Sequence, residues 1–424
     1  MKKIKIIMLI VIIISSILLI ANYSNAATDE YVTTTVINGV TANWKYSLND
    51  SNQIVYLRCT NPSDLKGSVT IPTTLDGKTV TSLGSWAFES ATNITEIVIP
   101  DSIKKIDCLA FENCTKLTKV DLGNIEEISF EVFRGCTSLT TITIPKTLKK
   151  GSISDGCLSN PNITSITLEE GLTVIPEGLC ANTGITSITI PSSVKKIEPY
   201  AFTYCTKLAK VDLGSIEEIE WDIFEGCTNL TAVTIPKTLK RGSVNGCLNN
   251  PNITSITFEE GLTVIPSGLC KNTGITSITI PNSVKKIELW AFEDCTKLDK
   301  ITILDNVTDM SNYSDSIFRN HNDNLTIYCY KDSVAANHAI KNNIKYVYLT
   351  KEENKENTEN DKEKEEYEDK VTDNKSDKEE KDTTTAQGIL PKTGIGFGLV
   401  VIIISLLGIG VFTYSKYNNL KDVK

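Results

Sequence analysis

The 424-residue chain has only two histidines, His321 and His338. That scarcity excludes a histidine-rich zinc site and leaves little material for a histidine-based hydrolytic centre. No CxxC pair occurs, so neither a thiol–disulfide exchange motif nor a zinc ribbon is spelled out. There is no glycine-rich phosphate loop, and most of the 24 glycines fall where turns are expected. With a net charge of −9 and no basic stripe interleaved with aromatics, the sequence speaks against nucleic acid as a partner. Nothing in it calls for a cofactor or a metal.

What is present begins with the two ends. Residues 1–26 open with Lys2, Lys3 and Lys5, continue through an apolar run from Ile6 to Ile20, and finish with Ser24-Asn25-Ala26. A basic start, an apolar middle and a small-x-small exit predict a secretory signal peptide cut between Ala26 and Ala27. An uncleaved anchor is the alternative, but the run is short for a span. At the other end, Leu390-Pro391-Lys392-Thr393-Gly394 is followed by an apolar stretch over 395–414 and a basic tail, 415–424, with Lys416, Lys421 and Lys424. Such a stretch is long enough to cross a bilayer as a helix, with the lysines on the cytoplasmic side.

Pentapeptide, span and basic tail, in that order, resemble the L-P-x-T-G sorting signal of sortase substrates of Gram-positive bacteria. The resemblance implies that a sortase cuts between Thr393 and Gly394 and joins the Thr393 carboxyl group to peptidoglycan, so that membrane attachment is only a stage before sorting. A plain C-terminal membrane anchor explains the span but leaves the pentapeptide unexplained. Between fold and sorting signal, residues 350–389 read as a stalk. Over 351–382 there are 15 acidic and 8 basic side chains and almost no apolar ones. Such a segment buries too little surface to offset its ordering entropy, and it holds most of the chain's negative charge.

The middle repeats itself. Ile185-Thr-Ser-Ile-Thr-Ile-Pro191 returns as Ile275-Thr-Ser-Ile-Thr-Ile-Pro281, 90 residues later. Inside that period lies a shorter beat: Ile97, Val120, Ile142, Ile166 and Ile188 sit in equivalent apolar triplets with steps of 23, 22, 24 and 22. A beat of this length is one coil of a solenoid. Leu139, Ile142 and Ile144 show the spacing L-x-x-L-x-L; alternation in a strand turns Ile142 and Ile144 inward and Thr141 and Thr143 outward. Stacked at about 4.8 Å, some twelve coils would extend roughly 55 Å.

These coils resemble the leucine-rich-repeat family, and more closely its BspA-like branch, which reads roughly L-x-x-I-x-I-P, S-V-x-x-I, A-F-x-x-C. The resemblance implies a curved β-rich solenoid over 69–324 and a binding or adhesive role at a microbial surface. It implies no particular ligand. No asparagine ladder follows the strand, unlike the commoner leucine-rich pattern. Residues 27–68, with Trp44, Tyr46 and Tyr56 in alternating extended segments, are expected to cap one end. Residues 325–349, strand–helix–strand, are expected to cap the other.

Nine of twelve cysteines, Cys114, Cys136, Cys157, Cys180, Cys205, Cys227, Cys247, Cys270 and Cys295, recur 20 to 25 residues apart. One per coil predicts a buried column of free thiols, packing as small hydrophobes. Disulfides between coils are the alternative, because stacked Cα atoms lie within bridging range even though parallel Cβ vectors are poorly aimed. Cys329 with His321 is the one local pairing a nucleophilic enzyme could use, and its alternation with apolar neighbours reads instead as core. Glu169-Glu170 and Glu259-Glu260 read as a solvated edge in preference to a Ca²⁺ site. Trp86, Tyr200 and Trp290 precede Ala-Phe pairs, which suits partial burial.

What remains is a surface. The outward strand positions Lys119, Asp121, Thr141, Thr143, Ser187, Thr189, Lys210, Asp212, Ser277 and Thr279 form the expected ligand face, suited to a protein or glycan. Two function classes stay open, a displayed adhesin and a passive wall-shielding protein, with an enzyme acting on wall or host polymer a distant third.

Overall fold

The computed structural model describes residues 30–152, 156–310 and 317–350. The chain divides into two compact units, Met1–Glu363 and Lys364–Lys424, and all described residues lie in the first. The signal peptide, the stalk beyond Thr350, the sorting signal, the apolar span and the basic tail lie outside the described residues.

The fold opens with an antiparallel meander, β1 (Tyr31–Ile37), β2 (Val40–Leu48) and β3 (Ile54–Cys59), in the order β1-β2-β3. Asn38 and Gly39 join β1 to β2 with φ of 51° and 78°, the pair of positive values that a two-residue hairpin turn requires. β2 buries Ala42, Trp44 and Tyr46 on one face, as its alternation demands. β3 lies against the first coil, where Thr81 N–H donates to the Ile54 carbonyl at 2.8 Å and Gly84 N–H to the Leu57 carbonyl at 3.0 Å. Its backbone thereby covers the open end of the stack.

From Gly67 onward the chain is a β-solenoid of about twelve coils. Each coil gives one strand of three to five residues to a broad parallel sheet, and most give, further along the coil, a two-residue strand or a single bridge to a second, narrower one. Ile97 lies opposite Val120, Ile142 opposite Ile166, Ile188 opposite Val211, and Ile278 opposite Ile301. The Thr141–Ile144 strand buries Ile142 and Ile144 and exposes Thr141 and Thr143, as the apolar spacing predicts. Hydrogen bonding along the broad sheet is broken into groups, the breaks recurring at equivalent points of the 90-residue unit, after Asp121 and Asp212 and again after Leu168 and Phe258.

Between the sheets runs a column of aromatic rings. Phe88, Phe111 and Phe133 stack at 5.5 Å, Phe202 on Phe224 at 5.7 Å, and Phe292 on Phe318 at 5.6 Å. Trp44 closes the column at one end, edge-on to Phe88, and His338 at the other, edge-on to Phe318. His338 belongs to α1 (Val334–Lys341), whose first turn is capped by the Ser333 hydroxyl accepting from Ala336 N–H at 3.1 Å. The strand Lys345–Tyr348 follows as the last of the broad sheet.

All twelve cysteines are free thiols, and all but Cys108 are buried. They do not form one column, which corrects the reading from spacing. Cys180 and Cys270 occupy the phenylalanine register: Cys180 N–H reaches the Ala201 carbonyl as Phe202 N–H reaches that of Ile223. Cys157 and Cys247 sit under irregular loops, accepting from Ser152 N–H at 3.2 Å and Ser243 N–H at 3.1 Å. The other five of the nine evenly spaced cysteines share one arrangement. Cys114 Sγ donates to Phe88 O at 3.2 Å, Cys136 to Phe111 O at 3.1 Å, Cys205 to Cys180 O at 3.0 Å, Cys227 to Phe202 O at 3.1 Å and Cys295 to Cys270 O at 3.0 Å. In every case the acceptor is the phenylalanine-register carbonyl one coil earlier.

Asn160 and Asn250 take over the same task in coils that lack this cysteine. Asn160 Nδ2 donates to Phe133 O at 3.2 Å and Cys136 O at 2.9 Å, and Asn250 to Phe224 O and Cys227 O at 3.1 and 2.9 Å. A mixed Cys/Asn ladder therefore precedes the strand, where the sequence reading looked only after it. It gives each of these buried carbonyls a second donor, beside the turn N–H three residues on that the carbonyl already accepts, as Phe133 O accepts from Cys136 N–H at 3.1 Å.

Candidate binding face

The broad sheet aligns its outward residues into two columns. Parallel register places Glu96 beside Lys119, Thr141 beside Ser165, Ser187 beside Lys210, Ala232 beside Ser255, and Ser277 beside Lys300. The second column runs two residues further along each strand, with Asp121, then Thr143 beside Thr167, Thr189 beside Asp212, Thr234 beside Thr257, and Thr279 beside Thr302. Neighbouring strands are about 4.8 Å apart and the columns about 6.6 Å apart. All ten expected ligand-face residues are exposed, and the structure brings them onto this one face.

They are not equivalent. Asp121 and Asp212 are engaged in their own turns, each accepting from the N–H two residues on, Gly123 or Gly214, at 3.0 Å. Those glycines have φ of 54° and 57°, and a Cβ at either would strike the Ile99 or Ile190 carbonyl. Lys119 Nζ is paired with Glu96 at 2.6 Å, which raises the lysine's pKa and lowers the carboxylate's. By contrast, the hydroxyls of Thr141, Thr143, Ser187, Thr189, Ser277 and Thr279 make no hydrogen bond to other described side chains or backbone. Thr167, Thr234 and Thr257 extend this open array. At its far end, Lys300 Nζ lies 4.4 Å from the centre of the Tyr328 ring, a pairing that spacing alone did not reveal.

The narrower sheet has a different character. Lys105, Glu127 and Lys150, then Lys196, Glu218 and Arg241, then Lys286 and Asp309 follow one another across it, with Val174 and Val264 between the groups. They pair among themselves: Lys150 with Glu127 at 2.5 Å, Lys196 with Glu218 at 3.3 Å, Arg241 with Glu218, and Lys286 with Asp309 at 3.9 Å. One column over, Lys149 meets Glu126 at 2.8 Å and Lys240 meets Glu217 at 2.6 Å. Charges spent on neighbouring coils set register and leave little for a ligand.

The remaining expectations fall as follows. Cys329 is buried, and burial pushes its thiol up to about 11, the opposite of an activated nucleophile. His321 Nδ1 bonds the carbonyl of its own neighbour, Asn322, at 2.8 Å. Glu169 accepts from Lys146 N–H at 3.0 Å and Glu170 from Ser193 N–H at 3.2 Å, so these acids tie coils together. Trp86 is 39% exposed, while Tyr200 and Trp290 are half-buried; all three have left-handed φ, between 56° and 59°. Arg319 covers the Trp290 ring. The left-handed positions recur coil after coil without a glycine to announce them, so sequence reading missed them.

The family described as BspA type leucine rich repeat region matches residues 65–183, 151–247, 173–299 and 245–345, in six copies. The chain belongs to this family. Repeat scaffolds of this kind present extended surfaces on which binding takes place. Among solved structures, a leucine-rich repeat protein from Bacteroides ovatus is 23% identical, over 72% of this chain and 71% of that one, with a TM-score of 0.41. A leucine rich cell surface protein from Faecalibacterium prausnitzii is 21% identical over 73% and 98%, with a TM-score of 0.32. The pneumococcal vaccine antigen PcpA is 17% identical over 75% and 99%, with a TM-score of 0.38. No curated protein matches the sequence.

Proposed function

We propose that this protein is exported, fixed to the cell wall of a Gram-positive bacterium and displayed there as an adhesin, with the broad sheet as its binding face. The observation that carries the reading is the open hydroxyl array from Thr141 to Thr279, whose hydroxyls make no hydrogen bond among the described residues. A regular array of hydroxyls suits a long partner with repeated hydrogen-bonding groups, a glycan or an extended protein segment, bound by many weak contacts. Display follows from the ends of the chain: export through residues 1–26 with cleavage between Ala26 and Ala27, then sortase action on Leu390-Pro391-Lys392-Thr393-Gly394 and a covalent bond from Thr393 to peptidoglycan. Residues 350–389 serve as the stalk between wall and solenoid.

The test has two arms. Mass spectrometry of protein released from purified walls by a peptidoglycan hydrolase is expected to find a C-terminus at Thr393 carrying wall peptide, lost in Thr393→Ala. An intact C-terminus at Lys424 would sink the sortase reading. Separately, cells displaying the triple variant Thr143→Lys, Thr189→Lys, Thr279→Lys should lose most of their attachment to glycan- and protein-coated surfaces at an unchanged display level. Attachment equal to wild type would point to a passive wall-shielding role.

A further inference from the structure

The edge of the N-terminal meander is built differently from the edge at the other end of the described residues. β1 reads Tyr31-Val-Thr-Thr-Thr-Val-Ile37, seven residues with no charge and no proline. It pairs only with β2, and among the described residues nothing hydrogen-bonds to its other side. The tight Asn38-Gly39 turn closes on the Ile37–Val40 pair. Alternation then sends the backbone groups of Tyr31, Thr33, Thr35 and Ile37 to β2, and those of Val32, Thr34 and Val36 outward. Those three are exposed as well, Val32 at 73% and Val36 at 70%. Natural edges of this length are ordinarily blunted by lysine, proline or brevity. The opposite terminal strand, Lys345–Tyr348, is blunted in that manner, being four residues long and starting with lysine.

β1 is also a palindrome by residue class. About Thr34 it reads apolar, Val, Thr, Thr, Thr, Val, apolar, so that a second β1 laid antiparallel with Thr34 on the two-fold axis sets Val32 against Val36, Thr33 against Thr35 and Tyr31 against Ile37. This register places the outward-facing residues opposite one another, Thr34 with Thr34 and Val32 with Val36 twice. Each such pair exchanges two N–H···O=C bonds, six in all. The side chains brought together are β-branched, uncharged and otherwise exposed.

We infer that β1 is a self-association edge, through which two copies of this chain join their N-terminal meanders into one continuous six-stranded antiparallel sheet. The segment just before β1 is the competing occupant, and its length argues against it. This step rests on the proposed cleavage after Ala26, which leaves three residues before Glu30. They reach about 10 Å, against about 23 Å for a seven-residue strand. The contact is small beside a standard interface, so the association is weak in free solution and gains from crowding of copies on one surface.

Cysteine cross-linking of the full chain in mild detergent tests the register itself. On the axis, the two Cα atoms at position 34 stand about 5.5 Å apart, within disulfide range. Thr34→Cys is therefore expected to give a covalent dimer under mild oxidation, with free thiols blocked before denaturation and the wild type run alongside. Val36→Cys should give none, because position 36 faces position 32, whereas the Val32→Cys, Val36→Cys double variant should dimerise. Thr34→Cys combined with Val32→Lys and Val36→Lys sets lysine against lysine and should lose the dimer band. N-terminal sequencing of the same sample reads the cleavage separately. A chain that begins at Ala27 and shows no Thr34→Cys dimer overturns the inference, as does cross-linking of Val36→Cys equal to that of Thr34→Cys.

Discussion

Burial holds several of the cysteines in this fold as thiols. Desolvation pushes Cys205 and Cys295 up to about 11, and Cys157 and Cys247 up to about 12, from an ordinary value of 9.0. The sign of the consequence follows from proton counting. Above pH 9 the unfolded chain's thiols ionise while the folded ones keep their protons, so the native state binds more protons and stability falls as pH rises. Under reducing conditions the urea midpoint should be flat across the lower side of pH 9 and decline between 9 and about 11. A midpoint that rises or stays level over that window would show that the sulfurs are not shielded as described.

From one coil to the next, the question is what gives a buried turn carbonyl its second donor. The Cys/Asn ladder answers it with two different donors at one position: a compact thiol with one weak bond, or an amide with two. Asn160 also accepts from Asn162 N–H at 3.0 Å, which braces the Pro161 turn. Replacement by an apolar residue of similar size, Asn160→Leu, removes the second donor from two carbonyls and the acceptor from Asn162 N–H, and should cost about 1–3 kcal/mol. Asn160→Cys, which imports the donor used by neighbouring coils, should cost about half as much. Urea melts of the pair distinguish this account from one based on volume alone, in which leucine would be the milder change.

At the scale of the whole solenoid, contacts run from each coil to the next, so length is adjustable in whole units. Joining Gly184 directly to Ile275 removes one 90-residue unit and recreates the junction already present at Gly274-Ile275. Four strands of the broad sheet go with it, those beginning at Ser187, Lys210, Ala232 and Ser255. The shortened chain should fold and unfold cooperatively, with a urea m-value lower by about a third, in line with the surface no longer exposed. A deletion of 11 residues, half a coil, should not fold, because it sets the charged narrow sheet against the hydroxyl face. The same one-dimensional build explains why both ends matter: the meander and α1 are where the aromatic column stops, at Trp44 and His338.

Periodicity is a local property, and the sequence by itself determined everything that depends on it. The 22–24-residue beat, the inward set of Ile142 and Ile144, the outward set of Thr141 and Thr143, and the strand–helix–strand order near the C-terminus all follow from alternation and apolar spacing along one stretch of chain. What tertiary structure alone decided is which residues of different coils meet. Stacking turns a separation of about 23 residues into about 4.8 Å, and a cysteine three residues earlier in its coil, as Cys180 is relative to Thr183, falls in the phenylalanine column and not in the carbonyl ladder. For that reason the thiols divide into separate environments, Asn160 joins Cys136, Lys150 finds Glu127, and β1 is left with an edge that no other described strand fills.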